Sequence, residues 1–182
     1  MRYFVGLDLP EDLKARLASL QSGVPQTRWV DAQGFHLTLA FLGELDGFEF
    51  DKVAKLFGTL TSPAFQLRLA GLDRFGNGRK TRVIWAGVEP NPCLETLSTQ
   101  LRTKLSFNAI NFDHRKFSPH VTLSRHCTAK LDKVAEYLGA NAGFMSSFFD
   151  VSEFHLFSSH LTSSGAFYRK ELTVPLQQLM AD

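Results

Sequence analysis

The chain has 182 residues, 44% hydrophobic and 21% charged, with a net charge of +2. That length makes one domain or two small lobes around a real core, and the composition excludes a chain disordered throughout. A charge of +2 argues against coating long nucleic acid by bulk charge, and two cysteines, Cys93 and Cys127, are too few for a disulfide scaffold and fit reduced thiols in the cytoplasm.

Tyr3 to Leu9 reads as a strand with an apolar centre. Pro10 and Glu11 open a helix in which Leu13, Leu17 and Leu20 recur at helical spacing, and Gly23 and Pro25 end it. Trp29 and Val30 form a short extended piece, and Asp31 to Gly34 turns. His36 to Leu42 is a strong strand, Gly43 to Gly47 a turn, and Phe50, Val53, Ala54 and Phe57 one face of a helix. Phe65 to Leu72 alternates as a strand, Asp73 to Thr81 is turn-rich and basic, and Arg82 to Val88 is a strand around Trp85. Pro92 to Leu105 is a helix, Asn111 to Pro119 a basic loop, His120 to Ser124 a strand and Leu131 to Leu138 a short helix. Val151 to Ser158 and Phe167 to Val174 make a hairpin with Ser159 to Gly165 as its loop. Strands and helices mix without strict alternation, so an α+β fold with antiparallel sheets is expected. No apolar run approaches the ~20 residues that span a bilayer. Asp8, Glu11 and Asp12 break up the N-terminal stretch, so no signal peptide is expected either.

One pattern occurs twice. Phe35-His36-Leu37-Thr38-Leu39 returns as Pro119-His120-Val121-Thr122-Leu123, each copy after a loop and at the start of a strand. Residues i and i+2 of a strand share a face. His36, Thr38 and Ala40 therefore oppose Leu37, Leu39 and Phe41, and His120, Thr122 and Ser124 oppose Val121 and Leu123. Two polar faces meeting across a groove would assemble two imidazoles and two hydroxyls. That set suits cleavage at phosphorus. One neutral imidazole takes the proton of the attacking oxygen, and one imidazolium protonates the departing oxygen. The hydroxyls and a guanidinium hold the non-bridging oxygens. Arg125 is the nearest cation, but five positions after His120 it reaches the groove only if the strand ends or bulges near Ser124.

The paired H-x-T-L strands resemble the two-histidine (2H) phosphoesterase superfamily, and most closely its RNA 2′,3′-cyclic phosphodiesterase, or 2′-5′ RNA ligase, family. The runs RYFVGLDLP, FHLTLAFLGE, RVIWAGV, FSPHVTLSR and VSEFHLFSS follow that family's order over nearly the whole chain. The resemblance implies a single bilobal domain over residues 1–182, with two similar antiparallel-sheet lobes, outer helices and the site between them. It implies metal-free hydrolysis of a 2′,3′-cyclic phosphate end of RNA or a nucleotide to a 2′-phosphate. It also implies a weak, reversible 2′-5′ joining of RNA ends. His36 would be the acid and His120 the base, an order that the residues themselves leave open. Thr38, Thr122 and Arg125 match phosphate-binding positions. His155 departs from the family pattern, which has a Thr or an apolar residue there. No cofactor, metal, membrane or obligate protein partner is expected. A cytoplasmic monomer suffices.

Other readings stand beside this one. The enzyme could act on another cyclic phosphodiester, such as ADP-ribose cyclic phosphate, or the groove could bind RNA or a nucleotide without turnover. A zinc site from His114, His120 and His126 has no common metal spacing. The stretch Gly76 to Thr81 mimics the tail of a P-loop, but Arg79 separates Gly78 from Lys80, and a basic hairpin is the better account. The cations in and around it, Arg74, Arg79, Lys80 and Arg82, are either solvated or a contact for RNA phosphates. Phe35, Phe117 and Trp29 flank the motif strands and are candidates for stacking on a base.

Overall fold

The computed structural model describes residues 1–77, 80–162 and 165–177. Strand β1 (Arg2–Asp8) is buried from Phe4 to Leu7, the continuous apolar run of a central strand. Helix α1 (Glu11–Ser19) buries Leu13 and Leu17. A short strand β2 (Arg28–Trp29) and a 3-10 turn (Ala32–Gly34) lead into β3 (His36–Glu44). Helix α2 (Gly47–Phe57) starts from a reciprocal cap between Asp46 and Glu49, which satisfies two backbone N–H groups. Then follow β4 (Phe65–Leu67), β5 (Leu69–Asn77), β6 (Lys80–Val88), α3 (Pro92–Phe107), β7 (His120–Arg125), α4 (Leu131–Ala140), β8 (Phe149–Val151), β9 (Glu153–Thr162) and β10 (Gly165–Pro175).

The main sheet runs β10-β9-β1-β3-β7-β6-β5, antiparallel at every described pairing, with β2 added to β7. It is two ladders joined at one point. β3 and β7 pair only at Leu37 and Val121. Beyond that bridge β3 leaves β7, and β2 takes the vacated edge, Trp29 opposite Ser124. The lobes therefore splay from a seam made of the two motif strands, as the α+β bilobal expectation requires. Leu37, Leu39, Val121 and Leu123 all face the core, each 2% exposed or less. Helix α3 lies against β3 in one lobe and α4 against β6 in the other.

Three stretches differ from expectation. The strand expected over Phe65 to Leu72 divides at Arg68, whose guanidinium grips Glu89 at 2.6 and 2.8 Å. Its first part pairs with β8 in a separate two-stranded sheet. Asp73 to Asn77 is strand, not turn, and hydrogen-bonds to β6 up to Asn77–Lys80. That pairing supports a hairpin over a P-loop; Gly78 and Arg79 lie outside the described residues. β9 and β10 extend through most of the loop expected between them, to Thr162 and from Gly165.

Candidate active site

Both motif histidines are held by the same local device. Nδ1–H of His36 donates to the Gly34 carbonyl at 2.8 Å, and Nδ1–H of His120 donates to the Ser118 carbonyl at 2.7 Å. A carbonyl can only accept, so Nδ1 carries the proton and Nε2 is the nitrogen left for chemistry. Both rings and both threonine side chains are half-buried. The antiparallel bridge at Leu37 and Val121 sets His36 on the Thr122 side and Thr38 on the His120 side. The two motifs are thus related by a local twofold through the seam.

Strict strand alternation breaks after the threonines, in the same way in both lobes. Opposite Val5 and Gly6 stand Ala40 and Thr38, so Leu39 is an extra residue in β3. Opposite Ile84 and Trp85 stand Ser124 and Thr122, so Leu123 is an extra residue in β7. Each bulge turns the next two residues over. Ala40 and Ser124 become buried, the Ser124 Oγ accepting from the Ile84 N–H at 3.1 Å. Ser124 therefore leaves the groove face on which simple alternation puts it. Phe41, expected in the core, is 45% exposed instead. Arg125 comes to the groove side by the same step, which meets the condition its position required. Phe41 and Arg125 are equivalent positions of the twofold, one aromatic and one cationic.

The electrostatics agree with this placement. Burial pushes the His36 pKa down, and the Arg125 and His120 charges lower it further. Against the Gly34 hydrogen bond and Asp8, which raise it, the result is about 4. Burial also lowers His120, with Arg125 adding to it against the Ser118 hydrogen bond. Arg125 thus acts on both rings. Asp8, opposite His36 in the ladder, is pushed up by burial but held below the usual carboxylate range by hydrogen bonds from Lys170 and Lys14. Buried Lys14 in turn bridges Asp8 and Glu11, each at 2.9 Å.

Aromatic rings wall both histidines. His36 lies 4.5 Å from Phe4 and 4.8 Å from Tyr168, ring to ring. His120 lies 4.9 Å from Phe75 and 5.8 Å from Trp85. The rings expected to stack on a base, Phe35, Phe117 and Trp29, are others. Phe35 is 1% exposed and is core, and Phe117 and Trp29 pack against the core. The signal for the rings beside the histidines is register: Phe4 and Trp85 sit opposite motif-strand residues, Phe41 and Thr122.

The remaining histidines stay out of the constellation. His155, 1% exposed, bonds the Thr173 hydroxyl at 3.0 Å and faces Glu153 at 3.4 Å, a buried polar contact between β9 and its neighbours. His114 packs on Phe112 and His160 bonds Ser158. Among the described residues no three His, Cys, Asp or Glu side chains cluster as a metal site would need, and the His114, His120 and His126 triad does not form. Cys127 is buried and accepts from the Thr27 hydroxyl at 3.2 Å, whereas Cys93 is exposed at the start of α3.

A splayed antiparallel sheet with one H-x-T on each side of its seam defines a two-histidine phosphoesterase architecture. Residues 9–162 match the 2′-5′ RNA ligase superfamily, and the chain belongs to that superfamily. It is 31% identical to the RNA 2′,3′-cyclic phosphodiesterase of Thermotoga maritima over 93% of this chain and 92% of that one. It is 33% identical to the protein of the same name from Escherichia coli K12, over 68% of this chain and 71% of that one. The structure of E. coli LigT complexed with 3′-AMP superposes with a TM-score of 0.81 at 27% identity, covering 97% of this chain and 98% of that one.

Proposed function

We propose that this protein is a phosphodiesterase that opens the 2′,3′-cyclic phosphate end of RNA or a nucleotide to a 2′-phosphate. The observation that carries it is the matched pair of histidines, each fixed through Nδ1 to the carbonyl two residues earlier and each leaving Nε2 for proton transfer. The names of the relatives point to the same reaction. His120 takes a proton from water as the water oxygen bonds to phosphorus. The bond from phosphorus to the 3′-oxygen breaks, and His36 gives that oxygen its proton. Thr38, Thr122 and Arg125 hold the non-bridging oxygens, whose negative charge grows as the bond breaks. The role order of the two histidines follows the family. A 5′-hydroxyl of RNA in place of water gives a 2′-5′ linkage by the same transfer.

The low pKa of His36 fits an acid that loses its proton readily once charged. The anionic phosphate between the two rings restores that charge on binding. Each lobe supplies one H-x-T, so one chain makes a complete site. Among the described residues no helix is long and apolar enough to cross a membrane. The two free thiols, Cys93 and Cys127, agree with a cytoplasmic setting. The test is incubation with a 2′,3′-cyclic nucleotide and a chelator, with the product's phosphate position assigned by phosphorus NMR. A 2′-phosphate formed in chelator supports the reaction and its metal independence. A 3′-phosphate reverses the regiochemistry, and binding without turnover makes the protein a nucleotide-binding module.

A further inference from the structure

Beside the histidines lies a second feature that the reaction at the cyclic phosphate does not use. An open cleft of about 800 Å³ runs from Arg125 along the ends of β6 and β7. Its walls carry Lys80, Arg82, His126 and Lys130 in addition to Arg125, and among the described residues no carboxylate lines it. Its floor includes buried Cys127 and Ala129. A chain of net charge +2 has gathered four cations, Lys80, Arg82, Arg125 and Lys130, into one place.

The backbone there is built to hold them. Phe75 pairs with Val83 and Gly76 with Thr81, so Arg82 is an extra residue that bulges out of β6. His126 takes the left-handed conformation, φ 55°, and so ends β7 sharply. The Cys127 N–H then donates to the Arg82 carbonyl at 3.2 Å, tying the two irregular segments together.

We propose that this cleft binds the phosphodiester groups of the RNA strand upstream of its cyclic end. The inference rests on the phosphodiesterase reading and adds a preference for polymer over mononucleotide. A cyclic phosphate ends the chain at its 3′ side, so the rest of the strand must leave the site in the 5′ direction. The cavity on the other flank, against His36, Phe157 and Tyr168, is only about 310 Å³ and suits a single nucleoside. The larger, cationic cleft begins at the residue proposed to hold the reacting phosphate. Cations on flexible side chains contact phosphates without reading bases, so the preference is for strand length and not for sequence.

The experiment compares a 2′,3′-cyclic mononucleotide with a short RNA bearing the same end, using the whole chain and a combined Lys80→Gln, Arg82→Gln, Lys130→Gln variant. These three side chains are exposed. The variant should lose about tenfold in kcat/KM on the RNA at low salt, and its salt slope should flatten by about 0.7 for each lost phosphate contact. Its kcat/KM on the mononucleotide should stay near that of the unsubstituted chain. An equal loss on both substrates, or no loss on the RNA, overturns the proposal. If the unsubstituted chain turns over neither substrate, the phosphodiesterase reading fails. Fluorescence anisotropy with an uncyclised RNA then decides the cleft alone: weaker binding by the variant supports it, and equal binding overturns it.

Discussion

His36 and His120 differ from ordinary surface histidines in two measurable ways: each is tautomer-locked by a backbone carbonyl, and each has its pKa lowered by burial and by Arg125. Replacing either with Ala should cut turnover by ~10² or more, because a positioned acid or base contributes that much. The fold should survive, since both rings are half-buried and the seam beneath them is made by Leu37 and Val121. Circular dichroism and a cyclic-nucleotide assay on each variant check both halves, and a fully active single variant removes that histidine from the reaction. The same shifts set the pH profile. The free enzyme works with one ring charged and one neutral, so kcat/KM should form a bell lying between the two lowered pKa values. Its optimum should fall below about 6.5, the ordinary histidine value. The kcat optimum should lie higher, because the bound anion raises both rings. A kcat/KM optimum at or above pH 7 would contradict the burial that lowers them. These two residues were legible in the sequence, because a duplicated His-x-Thr at strand starts has few bland explanations. Their low pKa values were not, because burial is a property of the packed chain.

At the scale of the element, the lesson lies in the bulges at Leu39 and Leu123. Alternation predicted the faces of His36, Thr38, His120 and Thr122 correctly and then failed at Phe41 and Ser124. The extra residue at each of these two places inverts the positions just beyond it, and no apolar pattern in HLTLAF or HVTLSR marks where the extra residue falls. The splitting of Phe65 to Leu72 was equally hidden, since its first part pairs with the distant strand β8 and its second part with β6. Glycine does carry a signal here. Gly6 lies in the middle of β1, opposite Thr38 on one side and His155 on the other. A Cβ at Gly6 would stand 2.8 Å from the Leu37 carbonyl oxygen, which belongs to the backbone of the seam strand. Gly6→Ala should therefore push β1 away from β3, destabilising the fold by roughly 1–3 kcal/mol. It should also lower activity at saturating substrate, because the shift reaches His36 and Thr38. Gly139, exposed in α4 with open space for 4 Å around the position a Cβ would take, is the control. Gly139→Ala should stabilise by about 0.5 kcal/mol through helix propensity and leave turnover alone. Urea melts of the two variants separate the cases, and a neutral Gly6→Ala would mean that β1 and β3 can part there at no cost.

For the molecule as a whole, the titrating groups that matter are the half-buried His36 and His120 and the buried His155 rather than surface charge. His36, His120 and His155 all have lowered pKa values, with burial the first cause in each case. The unfolded chain takes up protons near pH 6.5, while the folded chain holds them off, for His36 until about pH 4. Between those values the unfolded state binds more protons, so stability must fall as the pH drops through that window. Carboxylates work outside it. Asp8 is already held below the ordinary carboxylate value by Lys170 and Lys14, so its contribution is lost only at lower pH. A urea midpoint measured at pH 5 should thus lie clearly below that at pH 7.5. His36→Asn should shrink the difference, because it removes the most strongly shifted of the three groups. Inorganic phosphate offers the complementary test. An anion between His36, His120 and Arg125 favours the protonated rings, so it should raise the midpoint more at pH 5 than at pH 7.5. A midpoint that is flat or rises on acidification would show that the two lobes open and hydrate these rings, and the groove would then be a looser site than its hydrogen bonds imply.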